Sequence, residues 1–369
     1  GYVGVVGKEI TVFKRPGLYL WGTGTGTGAG QGMTDFLDAD GNQRLFVAQG
    51  GTLFAGASLV PSASVTDVFG VAYYLQSGSG GSSPMVNAVP ISFGGKLWLI
   101  GTQVLASNGR FTVHYSDDGE NWTLHTDVAA STSGYPPFGS GWGVVKHTVA
   151  GTPRVYLVAH GNHATISNQV WYTEDFNTWT QASANAGLRT SSSNDIATVV
   201  SHSDGKMYAF YADGGGTYIF SSTDGSGTWT TVTPSTHYNG GGTLLGHGAA
   251  SLNNNLYVIG GGISPGYTNA KIYSSSDNGD NWAEVGTNVL PENCYAMGLV
   301  IAAGIPYIIG YNSGGGPTVR QRIYRGAADF STWTLITTWT SEPTLLGSQP
   351  MGNHGTLIGQ RVAYFKNAF

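Results

Sequence analysis

Ser275-Ser276-Asp277-Asn278-Gly279-Asp280-Asn281-Trp282 is a polar turn closed by a tryptophan, and the chain repeats it. Tyr115-Ser-Asp-Asp-Gly-Glu-Asn-Trp122 and Ser222-Thr-Asp-Gly-Ser-Gly-Thr-Trp229 align with it. So do Tyr172-Thr-Glu-Asp-Phe-Asn-Thr-Trp179 and Gly326-Ala-Ala-Asp-Phe-Ser-Thr-Trp333, where Phe stands in place of the central Gly. The five tryptophans are separated by 57, 50, 53 and 51 residues. A period near fifty fits propeller blades of four strands each.

Working outward from each turn gives one pattern. A strand rich in aromatic and branched residues precedes it, as in Lys96–Gly101, Arg154–Ala159, Lys206–Tyr211, Leu256–Gly260 and Pro306–Gly310. A third strand enters the turn, as at Lys271–Ser275, and a fourth leaves it, as at Trp229–Thr233. Runs of four to seven such residues bounded by Gly, Asn, Asp and Ser are strands and turns. No helical period of useful length is present.

The ends extend the count. Arg44–Gly50 and Thr52–Ala55 read as strands of a unit lacking the tryptophan turn. Gly355–Gly359 and Arg361–Lys366 read as two strands of a unit whose other two are Glu9–Phe13 and Leu18–Trp21. The expected fold is therefore an all-β, closed propeller of four-stranded blades. Seven blades are favoured, with six the alternative if residues 1 to 30 form an arm. The whole chain, 1–369, is expected to be one domain, with residues 1–30 partly N-terminal strands and connector that close the ring with 348–369. Such closure removes unpaired edges.

Composition agrees and excludes other classes. Charged residues make up 10% of the chain, where about 25% is usual. Glycine supplies 58 of 369 residues, about twice its ordinary share of about 7%. A helical bundle or coiled coil needs a different composition, and 10 Trp, 20 Tyr and 14 Phe argue against disorder. Net charge is −5 with no Lys/Arg cluster, so nucleic-acid binding is not expected. The most apolar stretch, Met297–Gly310, is broken by Pro306 and too short for a membrane span. The chain starts at Gly1, read as a trimmed or processed start without a visible leader. One cysteine, Cys294, excludes an internal disulfide and a Cys-based zinc site.

The repeated turn resembles the Asp-box (BNR repeat) of sialidase-type β-propellers. Asp277, Gly279 and Trp282 match it, as do Asp117, Gly119 and Trp122, with Tyr115 in the Ser position. Asp224 and Trp229 match with shifted glycines; Asp175 with Trp179, and Asp329 with Trp333, are the Phe variants. An Asp that accepts backbone N–H bonds holds a tight turn, and the Trp packs behind it. Five copies of one turn point to a scaffold, because an active site is normally single. The expectation is therefore twelve structural positions and no catalytic, cofactor-binding or metal-binding residue among them.

Other candidates are few. The nine arginines, at 15, 44, 110, 154, 189, 320, 322, 325 and 361, form no recognisable carboxylate clamp. Of the six glutamates, Glu120, Glu174 and Glu284 belong to the repeated turns, leaving Glu9, Glu292 and Glu342. His160 and His163 have the spacing of half a metal site, but without a third ligand nearby in sequence they read as loop residues with a hydrogen-bonding role. His247 and His354 begin first strands, where they read as polar residues of the central channel. The Gly-Thr run at 22–28 reads as a flexible connector. Uncharged Gly-rich loops at 78–83, 214–216, 240–242, 260–262 and 314–316 suit adaptable contact surfaces.

Lys14-Arg-Pro-Gly-Leu18, Gly32-Met-Thr34 and the hairpin Arg44–Phe54 resemble the opening of tail nozzle or tail accessory propellers of short-tailed bacteriophages. That resemblance implies a non-enzymatic virion protein in the phage tail, with no cofactor. Its partners would be other tail subunits in a homo-oligomeric assembly, and a host surface glycan or receptor. The alternatives are a secreted or surface glycan-binding propeller and a sialidase-like glycoside hydrolase.

Overall fold

The second strand of each unit shows why these segments are extended. Leu97-Trp98-Leu99-Ile100 and Val155-Tyr156-Leu157-Val158 carry branched and aromatic side chains on both faces, and all eight are buried. A strand covered on two sides reads as a continuous apolar run. The computed structural model describes residues 30–37, 43–49, 52–55, 71–74, 85–103, 110–117, 123–129, 132–137, 142–159, 168–188, 198–213, 216–238, 248–259, 271–286, 295–302, 304–313, 319–339 and 362–363. They are all-β: no α-helix occurs among them.

Five antiparallel four-stranded blades follow one another. The first is Met85–Phe93 (β5), Lys96–Gln103 (β6), Arg110–Ser116 (β7) and Thr123–Ala129 (β8). The second is Trp142–Val149 (β9), Thr152–Ala159 (β10), Val170–Thr173 (β11) and Thr180–Ser183 (β12). The third is Thr198–Ser201 (β13), Met207–Asp213 (β14), Gly216–Ser222 (β15) and Thr230–Val232 (β16). The fourth is Gly248–Leu252 (β17), Asn255–Ile259 (β18), Ile272–Ser275 (β19) and Ala283–Glu284 (β20). The fifth is Tyr295–Ala302 (β21), Ile305–Ser313 (β22), Val319–Gly326 (β23) and Trp333–Trp339 (β24).

A further sheet differs from these. Gly30–Leu37 (β1), Gln43–Gln49 (β2), Thr52–Ala55 (β3) and Val71–Tyr74 (β4) form an antiparallel meander. Val362–Ala363 (β25) joins it as a fifth strand, parallel to β1, with Met33 opposite Val362 and Thr34 opposite Ala363. The first strands β1, β5, β9, β13, β17 and β21 neighbour one another in turn, and β21 returns to β1.

Seven blades are not found. The described residues form five four-stranded blades, and a count of six is reached only by including the five-stranded sheet. Dividing length by period counts every residue as part of a blade, whereas the five described blades run only from Met85 to Trp339. The expected N-terminal strands at 9–13 and 18–21, and the strand at 355–359, lie outside the described residues.

The core lies between blades rather than inside any one. Phe111, Val113 and Trp98 of the first blade pack with Leu157, Trp171, Phe176 and Trp179 of the second. The next seams join Tyr156 and Val170 to Ala209, Phe220 and Trp229, then Tyr208 and Phe210 to Val258, Tyr273 and Trp282. Tyr257 and Ile272 then pack with Tyr324, Phe330 and Trp333. The second, third and fourth blades therefore bury both faces against their neighbours, as a radial stack requires.

Candidate functional site

The antiparallel order sorts every connection to one of two faces. Turns between first and second strands, and the tryptophan turns between third and fourth strands, share one face. Connections from second to third strands, and from one blade to the next, share the other.

The turn face is built from short, fully specified elements. Gly94-Gly95, Ala150-Gly151 and Asn253-Asn254 have positive φ at both residues, as two-residue hairpins with the right-handed strand twist require. In the tryptophan turns the carboxylates accept backbone N–H bonds. Asp175 takes Thr178 N and Asn177 N, both at 2.9 Å. Asp224 takes Ser226 N at 2.9 Å, Asp277 takes Asn281 N at 2.8 Å, and Asp329 takes Ser331 N at 3.0 Å. These bonds, preceded at Asp329 by the larger effect of the Ser331 hydroxyl, stabilise the anion and lower the pKa of all four groups. For Asp277, the bond from Asn281 N leads and the value falls to about 2.

Trp179, Trp229, Trp282 and Trp333 occupy equivalent places and are buried. The indole N–H of Trp282 donates to Gly279 O at 2.9 Å, and that of Trp333 to Phe330 O at 3.2 Å. At Trp179 the corresponding oxygen, Phe176 O, instead receives His125 Nε2–H at 3.2 Å from the preceding blade. The Trp179 indole N–H is left without an acceptor. Gly119 and Trp122 lie outside the described residues.

Strand register moves the first turn by one residue. Leu97 pairs with Ser116, as Leu256 pairs with Ser275 and Val155 with Thr173. Ser116, not Tyr115, holds the Ser position, which shifts the Asp position from Asp117 to Asp118. Asp117 takes the place of Glu174: it pairs with Lys96 at 3.0 Å, as Glu174 pairs with Arg154 at 2.8 Å. Aligning on the tryptophan hid this, because the Asp-to-Trp interval differs by one residue between turns.

Two histidines that sequence reasoning missed bridge adjacent blades on this face. His147 Nε2–H donates to Thr223 O at 3.0 Å and its Nδ1 faces Ser201 Oγ at 2.8 Å. His202 repeats the arrangement with Asn278 Oδ1 at 3.1 Å and Ser251 Oγ at 2.8 Å. Burial lowers the His147 pKa, while Thr223 O, Asp204 and Asp224 oppose the shift. Their partners lie 49 to 76 residues away in sequence, so only a comparison of first-strand ends could have found them.

The turn face is thus occupied by scaffold. The opposite face receives the connections that the sequence marks as unusual. All five Gly-rich stretches fall on second-to-third or blade-to-blade connections, as do His160, His163, Arg189, Asp195, His247 and Glu292. The side chains of these residues, with His354 and Glu342, lie outside the described residues. At this end Arg110 pairs with Asp127 through Nε and donates from Nη2 to Asp127 O at 2.9 Å. The Trp142 indole N–H, at the start of β9, is buried without an acceptor. Among the described residues no group of three His, Cys, Asp or Glu is placed to hold a metal ion. None of the helix-free described structure offers a helix long and apolar enough to cross a membrane.

No family model and no curated protein matches the chain. Solved structures do. The structure described as that of YjhT superposes with a TM-score of 0.53 at 12% identity, covering 83% of this chain and 97% of that one. An α-L-arabinanase of Penicillium chrysogenum complexed with arabinobiose gives a TM-score of 0.52 at 13% identity, covering 76% of this chain and 88% of that one. At such identities the likeness establishes the β-propeller fold.

These neighbours correct two expectations, that of a phage-tail protein and that of a chain without enzymatic activity. The likeness runs to a sugar-processing propeller instead. The phage resemblance rested on Lys14–Leu18, outside the described residues, on Gly32–Thr34, which lies within β1, and on the hairpin around Gly50-Gly51. That hairpin is β2–β3, with Gln49 opposite Thr52. It is an ordinary connection within a sheet, which any propeller contains.

Proposed function

We propose that the chain is a carbohydrate-active propeller, a glycoside hydrolase that takes an oligosaccharide on the face opposite the tryptophan turns. The observation that carries this reading is the segregation of the connections. Every described tryptophan turn and histidine bridge is committed to one face, which leaves the sparsely charged, Tyr- and Asn-bearing connections, with Asp195 and Glu292 among them, to the other. The arabinanase-like fold supports the same reading. Asp-box turns of the sialidase type belong to this proposal as scaffold, with their carboxylates held by backbone amides and turned away from any shared centre.

Glycoside hydrolysis uses two carboxyl groups, one as general acid and one as base or nucleophile. The described tryptophan-turn carboxylates do not supply them, being separated on different blades. In chain order, Asp195 and Glu292 lie just before first strands β13 and β21, and Glu342 follows β24. These three are the residues to test. The purified protein should release reducing ends from arabino- or galacto-oligosaccharides. Asp195→Asn, Glu292→Gln or Glu342→Gln should remove turnover by about 100-fold or more, as loss of a general acid or base does, while melting temperature is retained. Absence of turnover across a panel of plant and bacterial glycans would sink the reading.

A further inference from the structure

The tryptophan turn of the fourth blade differs from its counterparts by one residue. The amide that bonds back to the Ser or Thr at the turn entrance lies three residues on at Phe176 and at Gly225, but four residues on at Gly279. The residue before Gly279 is Asn278, so this turn contains an Asn-Gly pair, with φ values of 62° and 92°. Positive φ at both positions suits an Asn-Gly turn. Asn-Gly is also the pair in which the following backbone nitrogen attacks the asparagine side chain most readily, because glycine has no Cβ to obstruct the approach.

The native contacts hold both reacting groups away from that chemistry. Gly279 is buried, and its N–H donates to Ser275 Oγ at 2.9 Å. The Ser275 hydroxyl in turn donates to Asp277 Oδ1 at 2.8 Å. Removing the proton from Gly279 N would therefore set a second negative charge, out of water, close to a carboxylate whose pKa of about 2 keeps it ionised. On the electrophilic side, Asn278 Oδ1 accepts His202 Nε2–H at 3.1 Å, which fixes the carboxamide against the third blade. His202 is itself seated by Ser251 Oγ, 2.8 Å from Nδ1, and Gly279 O by the Trp282 indole N–H at 2.9 Å. The bond from His202 polarises the carboxamide, but polarisation gains nothing until the attacking nitrogen is deprotonated and turned toward Cγ. The closed seam therefore suppresses the reaction.

We infer that Asn278 is a self-modification site, an asparagine that converts to aspartate and isoaspartate when the seam between the third and fourth blades opens. Gly279 N gives its proton to hydroxide and bonds to Asn278 Cγ. The Cγ–Nδ2 bond breaks, and Nδ2 leaves as ammonia after taking a proton from water, which restores the hydroxide. Water then adds to the five-membered imide, at Cγ to give aspartate or at the backbone carbonyl to give isoaspartate. One water is consumed for each ammonia released, and nothing is oxidised or reduced. Aspartate keeps an acceptor for His202. Isoaspartate routes the backbone through the side chain and adds a methylene to it, which separates Gly279 from Ser275 and Trp282. The change is one-way, so each opening of this seam risks a permanent mark on the chain, whether or not a sugar is bound.

Peptide mapping by mass spectrometry, with an isoaspartate-specific methylation assay, tests this on the full chain held in mildly alkaline buffer, both folded and in denaturant. In denaturant Asn278 should convert alongside the other two Asn-Gly pairs, Asn108-Gly109 and Asn239-Gly240. In the folded ring its conversion should be slower by about tenfold or more, because reaction waits on local opening. His202→Ala and Ser275→Ala, each confirmed by melting to be folded at the incubation temperature, should each recover most of that difference. If neither variant folds, the comparison of folded with denatured wild type decides alone. Conversion as fast in the folded wild type as in denaturant would overturn the protection. Unchanged slow conversion in both folded variants would overturn the role of the seam. Failure of Asn278 to convert in denaturant, while the other two pairs do, would overturn the site itself.

Discussion

The seams entering Phe176 and Phe330 differ from those entering Gly225 and Gly279, and the difference shows how one turn accepts two chemistries. Phe176 and Phe330 hold φ values of 63° and 62°, a region where a side chain costs about 1–2 kcal/mol. In return Phe176 stacks on Trp98 and Phe330 on Tyr257, each at 3.8 Å between centroids. Burying a phenylalanine contributes about 1.5–3 kcal/mol, and an aromatic pair about 0.5–1.5 kcal/mol more, so stacking outweighs the backbone strain. In the other two seams glycine removes the strain, and polar contacts replace the stack. Tyr156 Oη–H donates to Asp224 O at 2.9 Å, and His147 and His202 bridge to the turns. At the position of these histidines the Phe-type seams carry Phe93 and Leu252, which pack in the apolar clusters.

The largest expected effect is on the stacked seams. Phe176→Ala or Phe330→Ala should cost about 3–5 kcal/mol in a reversible denaturant titration. Phe330→Gly should cost about 1 kcal/mol less than Phe330→Ala, because glycine accepts the positive φ; the reverse order would break the strain argument. Next, Gly225→Ala should cost about 2–4 kcal/mol, since its Cβ would stand 2.6 Å from Tyr156 Cε1 in a left-handed backbone. Gly227→Ala has the same backbone but open space, and should cost only about 1–2 kcal/mol.

The histidine seam gives a smaller, pH-dependent effect. The folded pKa of His147 lies below the ordinary histidine value of 6.5, so the unfolded chain binds the proton more readily. Stability should fall as pH drops below about 6.5 toward the depressed folded value. His147→Leu should cost about 1–2 kcal/mol at pH 8 through the lost bonds and flatten that slope. An unchanged slope in thermal melts between pH 7 and 5 would remove His147 from the account. Smallest is Asp277→Asn, expected at about 1 kcal/mol at neutral pH. The Asp277 carboxyl titrates at about 2 when folded, against 3.8 for an ordinary aspartate. Its contribution is present above about 4 and lost as pH falls through about 2, so wild type and variant should converge there.

The blades were legible because the tryptophan turn is local: eight consecutive residues hold the acid, the positive-φ position and the ring. The strands β6, β10, β14, β18 and β22 were legible because burial on two faces leaves a long apolar run. Stacking of Trp98 on Phe176 was not legible, since it joins residues of different blades. The Asp117 assignment slipped because the turns differ in length, which only hydrogen-bonded register resolves. Glu292 and Glu342 were left over in the sequence only as glutamates outside the repeated turns, and nothing local marked Asp195 among the other aspartates. A glycoside hydrolase assembles its acids from separate blades, and no local spacing records that.

The return of β21 to β1 has a consequence for how the molecule is made. Five seams join sheets adjacent in the chain, so each can form as soon as the next fifty or so residues emerge from the ribosome. The closing seam joins segments more than 250 residues apart, and loop closure of that span comes late. Until then the nascent protein is an open arc with a sticky sheet at each end, and its own first sheet competes with any neighbouring chain for the last one. Rejoining the ends and opening the ring between two interior blades would move that waiting period to a different seam without altering a single contact in the finished ring.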